Sequence, residues 1–192
     1  MVDKIWKEIS TNNILGYNKS KLLYIELLDC IKLEGSTAEI GVYEGNTSKM
    51  IKLLNNDKTH YCYDTFEGII GSDNKHDTHE NGKFYCNLDK VKRNINLGGV
   101  IYKKGYFPET FNEDSEKFCF VYSDTSTYIG TKNTLLYLHN NIVIGGKIIC
   151  YSDDKCKGVK EAIDEFSVTN TDFSMYKISN FLVLTRKRYL SI

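Results

Sequence analysis

Ala38-Glu39-Ile40-Gly41-Val42-Tyr43-Glu44-Gly45-Asn46-Thr47-Ser48 is the stretch whose reading decides the fold. A short apolar run carrying one acid meets Gly41, then Gly45, then a helical pattern that begins at Thr47-Ser48. That is a strand, a tight turn and a helix N-terminus. Glycine at such a turn permits positive φ and lets a ligand come close to the backbone. The helix start presents N–H groups with no intrahelical partner. The spacing is Gly-x-x-x-Gly and lacks the leading glycine of the Gly-x-Gly-x-x-Gly dinucleotide fingerprint. Glu39, just before the first glycine, repels a pyrophosphate and suits a ligand that carries positive charge.

Upstream, residues 1–17 read as a short helix and loop anchored by Trp6. Lys19 to Leu33 repeats apolar residues at helical spacing (Leu22, Leu23, Ile25, Leu27, Leu28, Ile31) and Gly35 ends it. Downstream, the first strand is expected over Ala38–Val42, and Ser48–Leu54 as the helix after it. His60–Tyr63, Val100–Lys103, Lys117–Tyr122 and Lys147–Tyr151 read as strands. Leu88–Leu97, Thr131–Asn140 and Gly158–Phe166 read as helices, and Gly145-Gly146 as the turn into the fifth strand. Phe173–Ile178 and Phe181–Thr185, joined by Ser179-Asn180, read as a hairpin. Strands alternating with helices predict an α/β fold, Rossmann-like, with a mostly parallel sheet covered on both faces and an antiparallel C-terminal β-hairpin. Residues 1–192 are expected to form one domain, with 1–34 as an N-terminal helical segment.

The 25 Lys and Arg balance the 25 Asp and Glu, so no electrostatic footprint for nucleic acid is present. No apolar run reaches the length of a membrane span. The charged start does not resemble a signal peptide. Cys30, Cys62, Cys86, Cys119, Cys150 and Cys156 show no paired metal spacing and read as reduced thiols of a cytoplasmic protein.

In open α/β sheets ligands bind beyond the carboxyl ends of the strands. Those ends carry Glu39 and Gly41, then Asp64-Thr65-Phe66-Glu67-Gly68, Gly105-Tyr106-Phe107, Asp124 and Asp153-Asp154. An acid after the second strand can accept both hydroxyls of a ribose, since a carboxylate has two acceptor oxygens. Tyr106 and Phe107 can flank a flat base. Carboxylates converging from strands four and five favour a hard cation such as Mg²⁺.

The order of these pieces resembles class I S-adenosylmethionine (SAM)-dependent methyltransferases, and more narrowly the macrocin O-methyltransferase (TylF/MycF-like) family. The resemblance rests on Glu39-Ile40-Gly41-Val42-Tyr43-Glu44-Gly45, Asp64-Thr65-Phe66-Glu67-Gly68, Gly105-Tyr106-Phe107-Pro108-Glu109-Thr110, Asp124 to Tyr128 with Thr131, Gly145-Gly146, and Gly158 to Phe166. It implies a seven-stranded sheet, SAM as methyl donor with S-adenosylhomocysteine (SAH) as product, and a sugar or nucleotide-sugar hydroxyl as acceptor, often with Mg²⁺. By position it implies that Glu39, Gly41 and Tyr43 line the methionine part, with Thr47 and Ser48 also at the cofactor. Asp64 holds the ribose, Thr65, Phe66, Tyr106 and Phe107 surround the adenine side, and Gly105 is also at the cofactor. Asp124 matches the first acid of the family's Asp-x-Asp-x-Tyr segment and is expected at the methyl donor and at the metal.

Two departures stand out. The second acid of that segment, a candidate base in the family, is Ser126 here. The family's acid pair after strand five falls near Tyr151-Ser152, while Asp153 and Asp154 lie one or two residues later. The expected metal ligands are therefore Asp124, Asp153 and Asp154, and the expected catalytic groups Asp124, Ser126 and His79. His79 belongs to the polar stretch Gly68–Asn87, part of an expected lid or substrate loop spanning 68–97; a loop of that length in a compact domain is usually functional or disordered. His76, Asp77, His79, Glu80 and Cys86 lack the spacing of a zinc site. A SAM-binding protein without methyl transfer and a Rossmann-type nucleotide-sugar enzyme are the alternative readings. A homodimer is compatible with all of them.

Overall fold

The computed structural model describes residues 7, 17–112, 116–152 and 156–188. The expected N-terminal helix with Trp6, and the acids Asp153 and Asp154, lie outside the described residues.

Five strands alternate with helices. They are β1 (Ser36–Ile40), β2 (His60–Asp64), β3 (Val100–Lys104), β4 (Phe118–Ser123) and β5 (Ile142–Tyr151). The helices are α1 (Tyr17–Leu28), α2 (Asn46–Leu54), α3 (Leu88–Ile95), α4 (Tyr128–Leu138) and α5 (Lys157–Thr169), and the hairpin strands are β6 (Phe173–Ile178) and β7 (Phe181–Arg186). The sheet has seven strands in the order β3-β2-β1-β4-β5-β7-β6. β1 to β5 run parallel, while β7 is antiparallel to β5 and to β6. The order reverses between β1 and β4, and a reversal of that kind opens a crevice at the carboxyl ends of those two strands.

The strands are buried on both faces, which is why they read as near-continuous apolar runs rather than alternating ones. Val121 joins one core layer with Leu135 and Leu138 of α4 and Val159, Ile163 and Phe166 of α5. The next residue, Tyr122, joins the opposite layer with Leu23 and Leu27 of α1 and Met50, Ile51 and Leu54 of α2. A third cluster joins Val91 and Ile95 of α3 to Cys62 and Phe66. Burial of one such side chain contributes roughly 1.5–3 kcal/mol, so loss of an apolar face would cost a helix its place.

Several boundaries shift from the sequence expectation, each for a local reason. β1 stops at Ile40 because Gly41 turns to φ +85. α3 stops at Ile95 because Asn96 takes the left-handed conformation at φ 45. α4 starts at Tyr128, where the Thr127 side chain accepts from Gly130 N at 3.2 Å as an N-cap. Gly145-Gly146 is not the turn into β5. The strand begins at Ile142, and the pairing slips from Phe118↔Ile142 to Phe120↔Lys147, so Gly145 at φ +81 sits inside a bulge.

α1 is tied to β5 by a buried ion pair. Lys147 Nζ lies 2.7 Å from Glu26 Oε2 and 2.6 Å from Asp29 Oδ2. Lys147 and Glu26 are both buried, whereas Asp29 is solvated. With the Leu23 and Leu27 contacts, this pair fixes the height of α1 over the sheet.

Candidate active site

The crevice at the carboxyl ends of β1, β2 and β4 forms a cavity of about 350 Å³. That is within the range of small-molecule and cofactor sites. Its lining includes Glu39, Gly41, Tyr43, Asp64, Tyr106 and Asp124.

Gly41 makes the crevice possible. Asp124 N donates to Ile40 O at 2.9 Å, so the loops after β1 and β4 pass in contact. A Cβ on residue 41 would stand 2.6 Å from Asp124 O. Only glycine fits there, and its φ of +85 is strained for other residues.

Glu39 is 1% exposed and lies at the bottom of the cavity. Burial, partly offset by a hydrogen bond from Ser48, pushes its pKa from the usual 4.5 up to about 8. Desolvation disfavours the charged form. The carboxyl is therefore mostly neutral at pH 7, and a cationic ligand would ionise it. Ser48 itself does not line the cavity. It is fully buried, donates to Glu39 Oε2 and lies 3.2 Å from Cys62 Sγ. Its place is behind Glu39, while Thr47 reaches the cavity wall.

Asp64 differs from the expected ribose grip. Its Oδ2 accepts from Val42 N at 2.6 Å and Tyr43 N at 3.0 Å, and its Oδ1 accepts from Phe66 N at 2.7 Å. A carboxylate offers about four acceptor positions. Three are taken by backbone N–H groups, and the Thr65 hydroxyl lies 3.4 Å from Oδ1 with Gly68 O as its closer acceptor at 2.7 Å, so the bidentate grip is not open in this arrangement. Phe66 also departs from expectation. It is buried against Cys62, Val91 and Ile95 rather than lining the cavity. Its φ of +55 turns the ring inward. Thr65, Gly105, Tyr106 and Phe107 do line the cavity.

Asp124 Oδ2 accepts from Lys19 Nζ at 2.9 Å and from the Tyr122 hydroxyl at 3.0 Å. Burial and the neighbouring Asp124 carboxylate hold the Tyr122 phenol protonated well above its usual range, so it stays a donor. Lys19 comes from α1 and lies over the Tyr151 ring, 4.3 Å from its centroid. Lys19 and Tyr151 were not among the sequence-predicted site residues. Nothing in a lone polar position of an amphipathic helix signals that it meets an acid 105 residues away. Ser126 lines the cavity with φ +59.

The stretch 68–87 crosses the cavity and supplies Gly68, Ile69, Ile70, His79 and Phe84 to its wall. It folds back on itself, with Ile69 N donating to Lys83 O at 2.9 Å and Gly82 N to Ile69 O at 2.8 Å. Its tip is pinned at two helix starts. Asp77 Oδ1 accepts from Tyr128 N at 2.8 Å, and His76 O accepts from Gly158 N at 3.0 Å. The His76 ring stacks on Tyr128 at 4.6 Å and reaches Glu161 at 2.7 Å. Tyr128 serves this anchor and does not line the cavity. His79 Nδ1 lies 3.0 Å from the Lys83 ammonium, which can only donate. That contact occupies Nδ1 as an acceptor, while His79 lines the cavity wall.

The strand order, the glycine turn after β1 and the acids at the ends of β1, β2 and β4 define a class I SAM-dependent methyltransferase. The profile of the macrocin O-methyltransferase (TylF) family matches residues 24–187, and the chain belongs to that family: it is a SAM-dependent O-methyltransferase. Among solved structures, the chain is similar to the O-methyltransferase NovP, with TM-score 0.77 and 21% identity over 91% of this chain and 81% of that one. It is similar to CalS11, a calicheamicin methyltransferase, with TM-score 0.74 and 15% identity over 88% and 78%. The SAH-bound Podospora anserina methyltransferase PaMTH1 aligns with TM-score 0.62 and 12% identity over 98% and 88%. At these identities the structural likeness speaks for the fold. A search of curated proteins found no match. Among the described residues no helix is long and apolar enough to cross a membrane.

Proposed function

We propose that the protein methylates a hydroxyl of a sugar or sugar-bearing small molecule, with the donor held at the ends of β1 and β2 and the acceptor set against Asp124. The observation that carries the reading is that Glu39, buried at the floor, and Asp124, nearer the rim, line one cavity. The acceptor class draws support from CalS11, described as a TDP-rhamnose 3'-O-methyltransferase.

The cavity fits SAM. The bare backbone at Gly41 leaves room where any side chain would collide, and the neutral Glu39 carboxyl is ready to ionise against a cation. When bound, SAM supplies a methyl group already activated on a sulfonium. Glu39, with Gly41, Tyr43 and Thr47, takes the methionine part. Asp64 keeps one acceptor position for the ribose, and Thr65, Tyr106 and Phe107 wall the adenine side. Asp124 accepts the proton of the acceptor hydroxyl. Ser126 can orient that hydroxyl by hydrogen bonding but is too weak a base to take its proton. The lid over 68–87 excludes water and holds both reactants at short range, which is the main task when the leaving group is already activated.

Mg²⁺ is poorly served by the described donors. Asp124 Oδ2 already accepts from an ammonium and a phenol, and Ser126 stands where a second acid was expected. Among the described residues no three His, Cys, Asp or Glu side chains gather around a metal position. No step is routed through the ion.

The test is calorimetric titration with SAH, with NADH as control, followed by incubation with methyl-labelled SAM and a panel of nucleotide sugars and glycosides. SAH should bind and the label should pass to a sugar. Preference for NADH, or absence of SAH binding, would remove the donor site. SAH binding without transfer to any sugar would remove the acceptor assignment.

A further inference from the structure

We propose that Lys19 is a catalytic residue of this methyltransferase, its ammonium supplying at Asp124 the fixed positive charge that polarises the acceptor hydroxyl. The inference rests on the proposed placement of the acceptor against Asp124.

Lys19 Nζ is 2.9 Å from Asp124 Oδ2, 4.3 Å from the Tyr151 ring centroid and 5.5 Å from that of Tyr122. An ammonium has three donors, and aromatic faces stabilise its charge. One donor goes to Asp124. The two rings flank the cation without offering a carboxylate or carbonyl to its remaining N–H groups. Lys19 and Asp124 both line the cavity, with side chains 25% and 24% exposed, so the pair meets the ligand space rather than the core.

A merely structural tie is a poor account of this pair. α1 is already fixed to the sheet by Leu23, Leu27 and the buried Lys147–Glu26 pair, all nearer its C-terminal half. Lys19 lies in the first turn, at the mouth of the cavity. Both bonds to Asp124 described above fall on Oδ2, which leaves Oδ1 toward an incoming hydroxyl. A hydroxyl placed there donates its hydrogen to Asp124 Oδ1 and accepts from Lys19 Nζ. Its O–H bond breaks with the proton going to Asp124. The oxygen–methyl bond forms as the sulfur–methyl bond breaks, and the pair of electrons of that bond returns to sulfur. Lys19 bears no proton change. It stabilises the negative charge that grows on the oxygen before the methyl group arrives, as a fixed donor aimed at developing charge does.

The experiment compares wild type, Lys19→Met and Lys19→Arg for SAH affinity by calorimetry and for methyl transfer to the sugar panel, each with Mg²⁺ and with EDTA. Wild-type turnover should be unchanged by EDTA. Lys19→Met should lose about 100-fold in kcat, in line with removal of one donor to developing charge, while SAH affinity stays within about threefold. Lys19→Arg should recover part of the loss, because it restores charge but not shape. Turnover abolished by EDTA, a Lys19→Met kcat within tenfold of wild type, or equal losses of turnover and SAH affinity would each overturn the assignment. A wild-type protein that binds SAH and methylates no sugar fails at the underlying reading and takes this inference with it. That outcome differs from an active wild type whose Lys19→Met variant is equally active.

Discussion

Asp64 Oδ2 accepts the backbone N–H of Val42 at 2.6 Å, joining the end of β2 to the loop after β1. With Tyr43 N and Phe66 N on the same carboxylate, the residue braces the loops that form the proposed donor site. Asp64→Ala leaves three N–H groups without their acceptor. We expect a loss of about 1–3 kcal/mol in unfolding free energy, measured by denaturant titration, together with at least tenfold weaker SAH binding. Asp64→Asn keeps an acceptor oxygen and should fall between. Weakened SAH binding at unchanged stability would contradict the bracing role.

Glu39 gives the site a pH dependence whose sign is fixed. Its folded pKa of about 8 lies above the ordinary 4.5, so the unliganded protein gains relative stability from the neutral form. That contribution is complete below about pH 4.5 and is lost as pH rises through about 8. A ligand cation beside Glu39 reverses the preference. SAH affinity should rise across the same window, and binding near pH 7 should release up to about one proton. Calorimetry in two buffers of different ionisation enthalpy reads that release. Glu39→Gln should abolish it and flatten the fall in stability. A pH-independent affinity in wild type would place the ligand's charge elsewhere.

The anchor of the lid is a short list of bonds. Asp77 holds Tyr128 N, and an acid at a helix start is favoured there by the dipole. Asp77→Ala should free the tip at a cost of about 1 kcal/mol, which raises the open population roughly fivefold. Trypsin cleavage at the exposed Lys75 and Lys83 should accelerate by a similar factor. Acceptor KM should rise more than kcat falls. Unchanged cleavage would mean that Asp77 is not the tether.

Lys147 offers a control remote from the chemistry. Lys147→Met strands Glu26 in the core and should destabilise the protein by about 3 kcal/mol, read from the shift of the denaturation midpoint. The double variant Lys147→Met with Glu26→Leu should regain most of the loss. Failure of that rescue would mean that the pair's partner network extends beyond these two residues.

The alternation of strands and helices was legible because each parallel strand is buried on both faces and reads as an apolar run between glycine turns. Gly41 and Glu39 could be placed for the same reason: a strand end, an acid and a glycine are local signals. The missing pieces were not local. β5 begins five residues before the expected Lys147 because a bulge at Gly145 lets pairing resume after a slip. Phe66 turns inward through a backbone angle that composition does not reveal. The bonds that occupy Asp64 come from backbone N–H groups, which no residue name announces. Lys19 reaches Asp124 only because α1 packs across the sheet at that height.

The contact between Gly41 and the carbonyl of Asp124 makes the proposed donor wall and the proposed acceptor wall a single seam. Neither side of that seam can be recontoured without moving the other, so this part of the protein is committed to one fixed distance between methyl group and acceptor. Freedom to accommodate differently shaped acceptors then falls to the two parts that close the cavity from outside, the first turn of α1 and the lid over 68–87. Changing what this enzyme methylates is a matter of editing those two segments while the seam stays as it is.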